Sequence, residues 1–233
     1  MTGWCERLTD VLNQNGCRAR VVRVERLQAL REEIERLRAE GAFGVAFYNQ
    51  ELSWLEYDAS RLPGAGSVIL VAVPQPSFRL TFHPEDRPSQ VILPPTYAFH
   101  DIDLKVEALI ESALQGEAHS LMMIHPPLKL LAARCGLSRY GRNNVTYVDG
   151  MGSFNRLIAW ATDLAAPEDA WQEPERMPEC KHCARCLDAC PTGCIEAGRR
   201  MVHAETCMTH INESGEPFPD WVDSAWVNAM MGC

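Results

Sequence analysis

Cys180-Lys-His-Cys183-Ala-Arg-Cys186-Leu-Asp-Ala-Cys190-Pro191 constrains this chain more than any other stretch. Gaps of two, two and three residues before a proline match the bacterial C-x2-C-x2-C-x3-C-P run. In that run three thiolates hold one 4Fe-4S cubane and the fourth belongs to a second cluster. Two-residue gaps let a tight loop curl around one cube, and the proline ends the loop and turns the fourth cysteine away. The competing readings are a zinc site, which favours paired C-x2-C units with a wider gap, and a set of inert buried thiols. The spacing favours iron-sulfur, and with it a ferredoxin-like segment near the C-terminus whose work is electron transfer.

Six of the ten cysteines lie between Cys180 and Cys207. The first residues, MTGWCERLTDVLNQNG, carry charges where a signal peptide has its apolar stretch, and no window is long and apolar enough for a membrane span. A soluble, cytoplasmic protein is expected, and in a reducing compartment clustered cysteines read as metal ligands rather than disulfides. After Cys190 the chain continues PTGCIEAGRRMVHAETC, like a ferredoxin half whose partner half has been stretched. Cys207 and Cys233 are therefore candidates for a second cluster with Cys190. Cys194 fills a position open to alanine and reads as a small packed thiol.

Upstream, the patterning predicts a mixed fold. Arg26 to Glu40 spaces Leu27, Leu30, Ile34 and Leu37 three and four apart and stops at Gly41, as an amphipathic helix does. Asp101 to Gln115 repeats that spacing. Pro126 and Pro127 open a further helix that ends at Gly136. Ser67 to Val73 is a buried strand closed by Pro74 and Pro76, and Phe78–His83, Gln90–Leu93 and Leu121–Ile124 read as shorter strands. The Arg-rich stretch from Arg18 to Arg38 is interleaved with Glu25, Glu32, Glu33 and Glu35, the pattern of a solvated helix face rather than a binding patch. Residues 165–178 are proline-rich, acidic and aperiodic, a linker. The expected organisation is an α/β (α+β) domain over residues 1–165, then a linker and ferredoxin-like module over residues 166–233.

Several stretches also carry a family likeness: LAARCGLSRYGRNN (Leu131 to Asn144), Gly152–Phe154, Thr162–Leu164, the cysteine run with its CPT step, and Cys207 with Ile211 and Glu213. In this order they resemble the epoxyqueuosine reductases and, more distantly, the reductive dehalogenases. The resemblance implies a cobalamin bound against the N-terminal domain, with two 4Fe-4S clusters passing electrons singly to its cobalt. It implies that Cys180, Cys183 and Cys186 serve the first cluster, and Cys190, Cys207 and the opening of a second cysteine run, here Cys233, serve the second. Each cluster then lacks one ligand. A truncated product is the expected explanation; His182, His203, His210 or a partner's cysteines are the alternatives.

Gly141-Arg142-Asn143-Asn144 stands where the family has Gly-Lys-Asn, and a corrinoid contact through Gly141, Arg142 and Asn143 is the expectation, with an ordinary turn as the alternative. Tyr97 and His100 fall near a stretch where the family places an aromatic residue directly before histidine, and Tyr97 is a further cofactor candidate. Where the family has the Asp of an Asp-Thr-x-Pro stretch, this chain has His125-Pro126-Pro127. His125 is either the proton donor in its place or a residue that opens the helix.

The net charge of -9 disfavours a polyanion, because phosphate binding draws on clustered Lys and Arg. With the Asp-to-His change, it makes tRNA a disfavoured partner. The expected function is an iron-sulfur, cobalamin-dependent reductase of a small-molecule substrate, supplied by a ferredoxin or flavodoxin. An electron-transfer adaptor and a tRNA-acting epoxyqueuosine reductase are the alternatives.

Overall fold

Ser67–Pro74 reads SVILVAVP, and a strand with apolar residues on both faces can only sit where both faces are covered. The computed structural model, which describes residues 3–83, 88–98, 101–166, 169–199 and 201–233, places this strand, β2, inside a four-stranded sheet. β1 is Arg18–Arg23, β5 is Leu121–Ile124 and β8 is Asn155–Thr162, in the order β1-β2-β8-β5. All three pairings are antiparallel, with Ile69 opposite both Val21 and Trp160, and Met123 opposite Trp160.

Alternation along β2 splits the core in two. Val68, Leu70 and Ala72 face the layer formed by α2 (Arg26–Ala39) and α5 (Leu128–Arg134). Ile69, Val71 and Val73 face α1 (Gly3–Gln14) and α4 (Ile102–Ala113). β8 does the same, sending Ala159 and Ala161 one way and Ile158 and Trp160 the other. The result is a helix-sheet-helix sandwich, which settles the fold as mixed α/β on an antiparallel sheet.

α1 rests on the four-residue spacing of Trp4, Leu8 and Leu12, all buried. The Arg-rich stretch is not one helix face, as the sequence reading had it. Arg18, Arg20 and Arg23 are exposed on β1 while Ala19 and Val22 are buried between them, and only the stretch from Arg26 is helical. Alternation with small and β-branched residues outweighs the charge pattern over those six positions.

The rest of the chain is draped over the α2/α5 side. The ribbon of β6 (Ser138–Tyr140) and β7 (Thr146–Val148) follows α5. The linker, of which residues 167 and 168 are outside the described set, then pairs with it: Tyr140 N donates to Glu175 O and Met177 N to Tyr140 O. Arg134 anchors the linker to the sandwich through Glu33 at 2.6 Å and Glu173 at 2.7 Å. Desolvation works against the Arg134 charge, but these carboxylates outweigh it and raise its pKa above the ordinary value. A second ribbon, β3 (Phe78–Phe82) with β4 (Ser89–Leu93), lies apart from the sheet and is bridged by the tail, Met230 N donating to Ile92 O.

Trp160 is fully buried at the centre of the α1/α4 layer. Trp160→Ala should cost about 3–5 kcal/mol, the range for emptying a large aromatic site, read as a lower denaturant midpoint with an unchanged slope.

Candidate electron-transfer site

The C-terminal end of β5 delivers His125 to one end of the sheet. Its backbone N–H donates to Glu56 Oε2 at 2.7 Å, and its ring Nδ1 lies 3.3 Å from the same oxygen. Burial pushes the Glu56 carboxyl upward. The His125 amide, the Arg61 guanidinium and the His125 ring outweigh it and hold the pKa below the usual value. The ring itself is open to solvent, with its other nitrogen, Nε2, directed away from this carboxylate.

The turn between β6 and β7 holds Gly141, Arg142 and Asn143. Gly141 N donates to Val145 O at 2.7 Å and Asn143 Oδ1 accepts from Val145 N at 3.3 Å, while Asn144 takes φ 60°. A Cβ on Gly141 would meet the Asn143 side chain at 2.4 Å and the Tyr147 ring at 2.6 Å, so glycine is required by the turn's own packing. Arg142 points across to the cysteine run and donates to Cys183 O at 2.7 Å and Cys180 O at 2.5 Å.

All ten cysteines are thiols outside any disulfide. Cys180, Cys183, Cys186, Cys190 and Cys207 are half-buried and Cys233 is exposed. Cys180 belongs to a short turn, Pro178–Lys181, and Cys186 to α6, Arg185–Ala189. Cys190 Sγ contacts Cys194 Sγ at 3.5 Å and Thr192 Oγ1 at 3.6 Å. Burial opposes the Cys190 thiolate, but the Thr192 and Cys194 hydrogen bonds win and lower its pKa. Cys194 is buried and its thiol is pushed up to about 12, chiefly by desolvation and further by nearby Cys207 and Cys190. Cys207 precedes α7 (Met208–Glu213). Cys233 follows Gly232, whose carbonyl accepts from Asn212 of that helix at 2.9 Å.

Two of the histidines weighed as substitute ligands have other partners. His203 Nε2 is 2.8 Å from Glu196, and the His210 ring stands edge-on to Phe47 with centroids 5.2 Å apart. His182 is exposed beside the run, and His100 lies outside the described residues.

Whether these residues fit the implied cofactors follows from what they touch. For an iron-sulfur cluster the donor chemistry fits: soft thiols at the required spacing, half-buried, none consumed by a disulfide. Among the described residues no three His, Cys, Asp or Glu side chains stand close enough to hold a single metal ion. For a corrinoid the nominated residues do not fit. The Tyr97 hydroxyl donates to Glu213, Arg142 holds two carbonyls, and Gly141 and Asn143 are closed into their own turn. Cavities of about 410 Å³ beside Gln75 and Phe154, and about 150 Å³ beside Arg139 and Gln172, are lined by none of them.

One cation escaped the sequence reading. Lys129 on α5 donates to Asn144 O at 3.4 Å and feels both Cys207 and Glu213. Desolvation lowers its pKa, only partly offset by those two groups. Nothing in the sequence pairs position 129 with positions some eighty residues later.

The sandwich with its draped, cysteine-bearing segment defines a mixed α/β protein that carries a run of free thiols. No protein-family model matches the chain, but comparisons with individual proteins agree with one another. The epoxyqueuosine reductase of Burkholderia pseudomallei is 33% identical over 109 residues, which is 44% of this chain and 26% of that protein. The enzyme of Bacillus subtilis is 26% identical over 105 residues, 45% of this chain and 26% of its own. Two solved epoxyqueuosine reductases match in fold over 98% of the chain. One is the Bacillus subtilis enzyme with its catalytic loop swung out, at a TM-score of 0.74 and 20% identity. The other is a complex with an epoxyqueuosine-modified tyrosine tRNA stem loop, at 0.73 and 18%. The chain is similar to the epoxyqueuosine reductases in local sequence and in fold, and it spans 62% of the length of these solved relatives. The expectation that tRNA is disfavoured is overturned by the complex of that relative with a tRNA stem loop. A net charge summed over the whole chain does not fix the charge of the surface a polyanion meets.

Because the folded Glu56 carboxyl titrates below its unfolded value, its contribution is present above the ordinary carboxylate range and is lost as pH falls through the folded value. Glu56→Gln should therefore cost about 1–2 kcal/mol near neutrality. The gap between variant and parent melting temperatures should close on acidification.

Proposed function

We propose that this chain belongs to a reductase of the epoxyqueuosine type, acting in the cytoplasm on a modified base carried by tRNA. The observation that carries this reading is the agreement of two likenesses: local sequence identity and chain-wide fold both lead to epoxyqueuosine reductases, one of them solved with its tRNA stem loop. In this reading residues 1–165 form the scaffold and residues 166–233 the electron-carrying module.

Cys180, Cys183 and Cys186 would hold one cluster, with Cys190, Cys207 and Cys233 contributing to a second; a cluster bound there supplies single electrons. Reducing an epoxide to an alkene consumes two electrons and two protons and releases water, so the reaction needs a proton donor. His125 supplies it in this proposal. Glu56 fixes the ring through Nδ1, which leaves Nε2 to hand over the proton. Cys194 stays a packed, protonated thiol. No step is routed through a corrinoid, because the residues nominated for one are occupied by each other.

Protein purified anaerobically, reconstituted with iron and sulfide and given dithionite should convert an epoxyqueuosine-bearing stem loop to a product lighter by one oxygen, followed by mass spectrometry of the nucleosides. Absence of conversion with full cluster content would refute the substrate. His125→Gln should lower turnover about 10²–10⁴-fold, the usual worth of a general acid. Unchanged turnover would free His125 from the role.

A further inference from the structure

Arg142 is the strongest link between the β6–β7 turn and the cysteine run, and nothing in the proposed reaction uses it. Its two terminal nitrogens reach two different carbonyls, those of Cys180 and Cys183. Its Nε is buried with no partner, so the guanidinium spends its hydrogen bonding on the run. The side chain that makes this reach is held from below. The turn is closed by Gly141 N to Val145 O and by Asn143, and β6 is itself zipped to the linker just ahead of the run, Met177 N to Tyr140 O at 2.8 Å. The Arg142 contacts continue that zipper by one more rung, past the point where Pro178 ends strand pairing.

We propose that Arg142 is a positioning residue for the candidate cluster loop, clamping the carbonyls of Cys180 and Cys183 and fixing a permanent positive charge beside the thiolates. Only arginine does both. Its planar fork spans two carbonyls, and it stays charged in any surroundings. The clamp matters because Cys180 lies on a short turn and Cys183 on the link before α6, and the Arg142 contacts tie both to the β6–β7 turn. A loop fixed at two carbonyls loses less freedom when it closes on a cluster. The charge acts separately. Adding an electron to a cluster makes its surroundings more negative, and a cation beside it favours the reduced form. The redox half of this proposal rests on the iron-sulfur reading above; the clamp does not.

The test uses the full chain with Arg142→Gln, which removes charge and fork, and Arg142→Lys, which keeps the charge alone. The first measurement needs no cofactor. Alkylation of Cys180, Cys183 and Cys186 in the folded apo-protein is timed by peptide mass spectrometry, with buried Cys135 as the internal sign that each variant is folded. Both variants should label Cys180 and Cys183 about tenfold faster than the parent, the factor carried by loss of a charge-assisted hydrogen bond. The second measurement is the reduced-to-oxidised ratio of the reconstituted protein at fixed applied potential. It should fall several-fold in Arg142→Gln and stay near the parent's in Arg142→Lys. Unchanged labelling in both variants overturns the clamp, and an unchanged ratio in Arg142→Gln overturns the charge. If Arg142→Gln labels Cys135 as well, it is unfolded and Arg142→Lys decides the clamp. A parent that takes up no iron sinks the iron-sulfur reading and its redox half, while the labelling result stands.

Discussion

β2 and β8 run side by side with apolar residues on both faces, and the helices of the sandwich are placed by the need to cover them. An antiparallel pair can leave one face to water; this one cannot. Helices must lie on both sides, and the sheet's end, where β2 and β5 finish and β8 begins, becomes the fixed edge on which loops can stand. The close fit shows at Gly66, just ahead of β2. A Cβ there would stand 2.9 Å from the Leu164 carbonyl, so the chain entering β2 and the chain leaving β8 touch backbone to backbone. The draped C-terminal segment adds its own contacts to a frame that is already covered.

Much of this was legible in advance, for reasons that differ by residue. The two-sided apolar run of β2 and the spacing of Leu27, Leu30 and Ile34 are local patterns, and local patterns survive folding. The first helix, with Trp4, Leu8 and Leu12 four apart, was missed although its spacing is equally local. β1 was not legible, because three arginines in six residues look like a charged helix face until Ala19 and Val22 are seen tucked against the sheet. Strand order was illegible too, since it depends on pairings across nearly a hundred residues, such as Ile69 with Trp160.

The site divides along the same line. Cysteine spacing is a local signal, and it pointed to donors that the structure leaves as accessible thiols. The role of Arg142 is a long-range fact. Its sequence neighbours suggested a ligand-facing turn, whereas its contacts lie some forty residues away at Cys180 and Cys183. Tyr97 tells the same story through Glu213. Its phenol donates there, and burial together with that carboxylate pushes its pKa above the ordinary value. Charge was misread in another way, by treating a sum over 233 residues as a property of one surface.

The β3–β4 ribbon is bridged by the tail: Ile92 N donates to Asn228 O and Met230 N to Ile92 O. Those partners are well over a hundred residues apart, and the linker contacts of Arg26 with Asp169 and Arg134 with Glu173 also span long stretches. Contacts of such separation carry a large loop-closure cost, and that cost is repaid only once the intervening chain is already ordered. The ribbon is thus held by the far end of the chain, and loosening the tail would free Ile92 from both of these backbone partners at once.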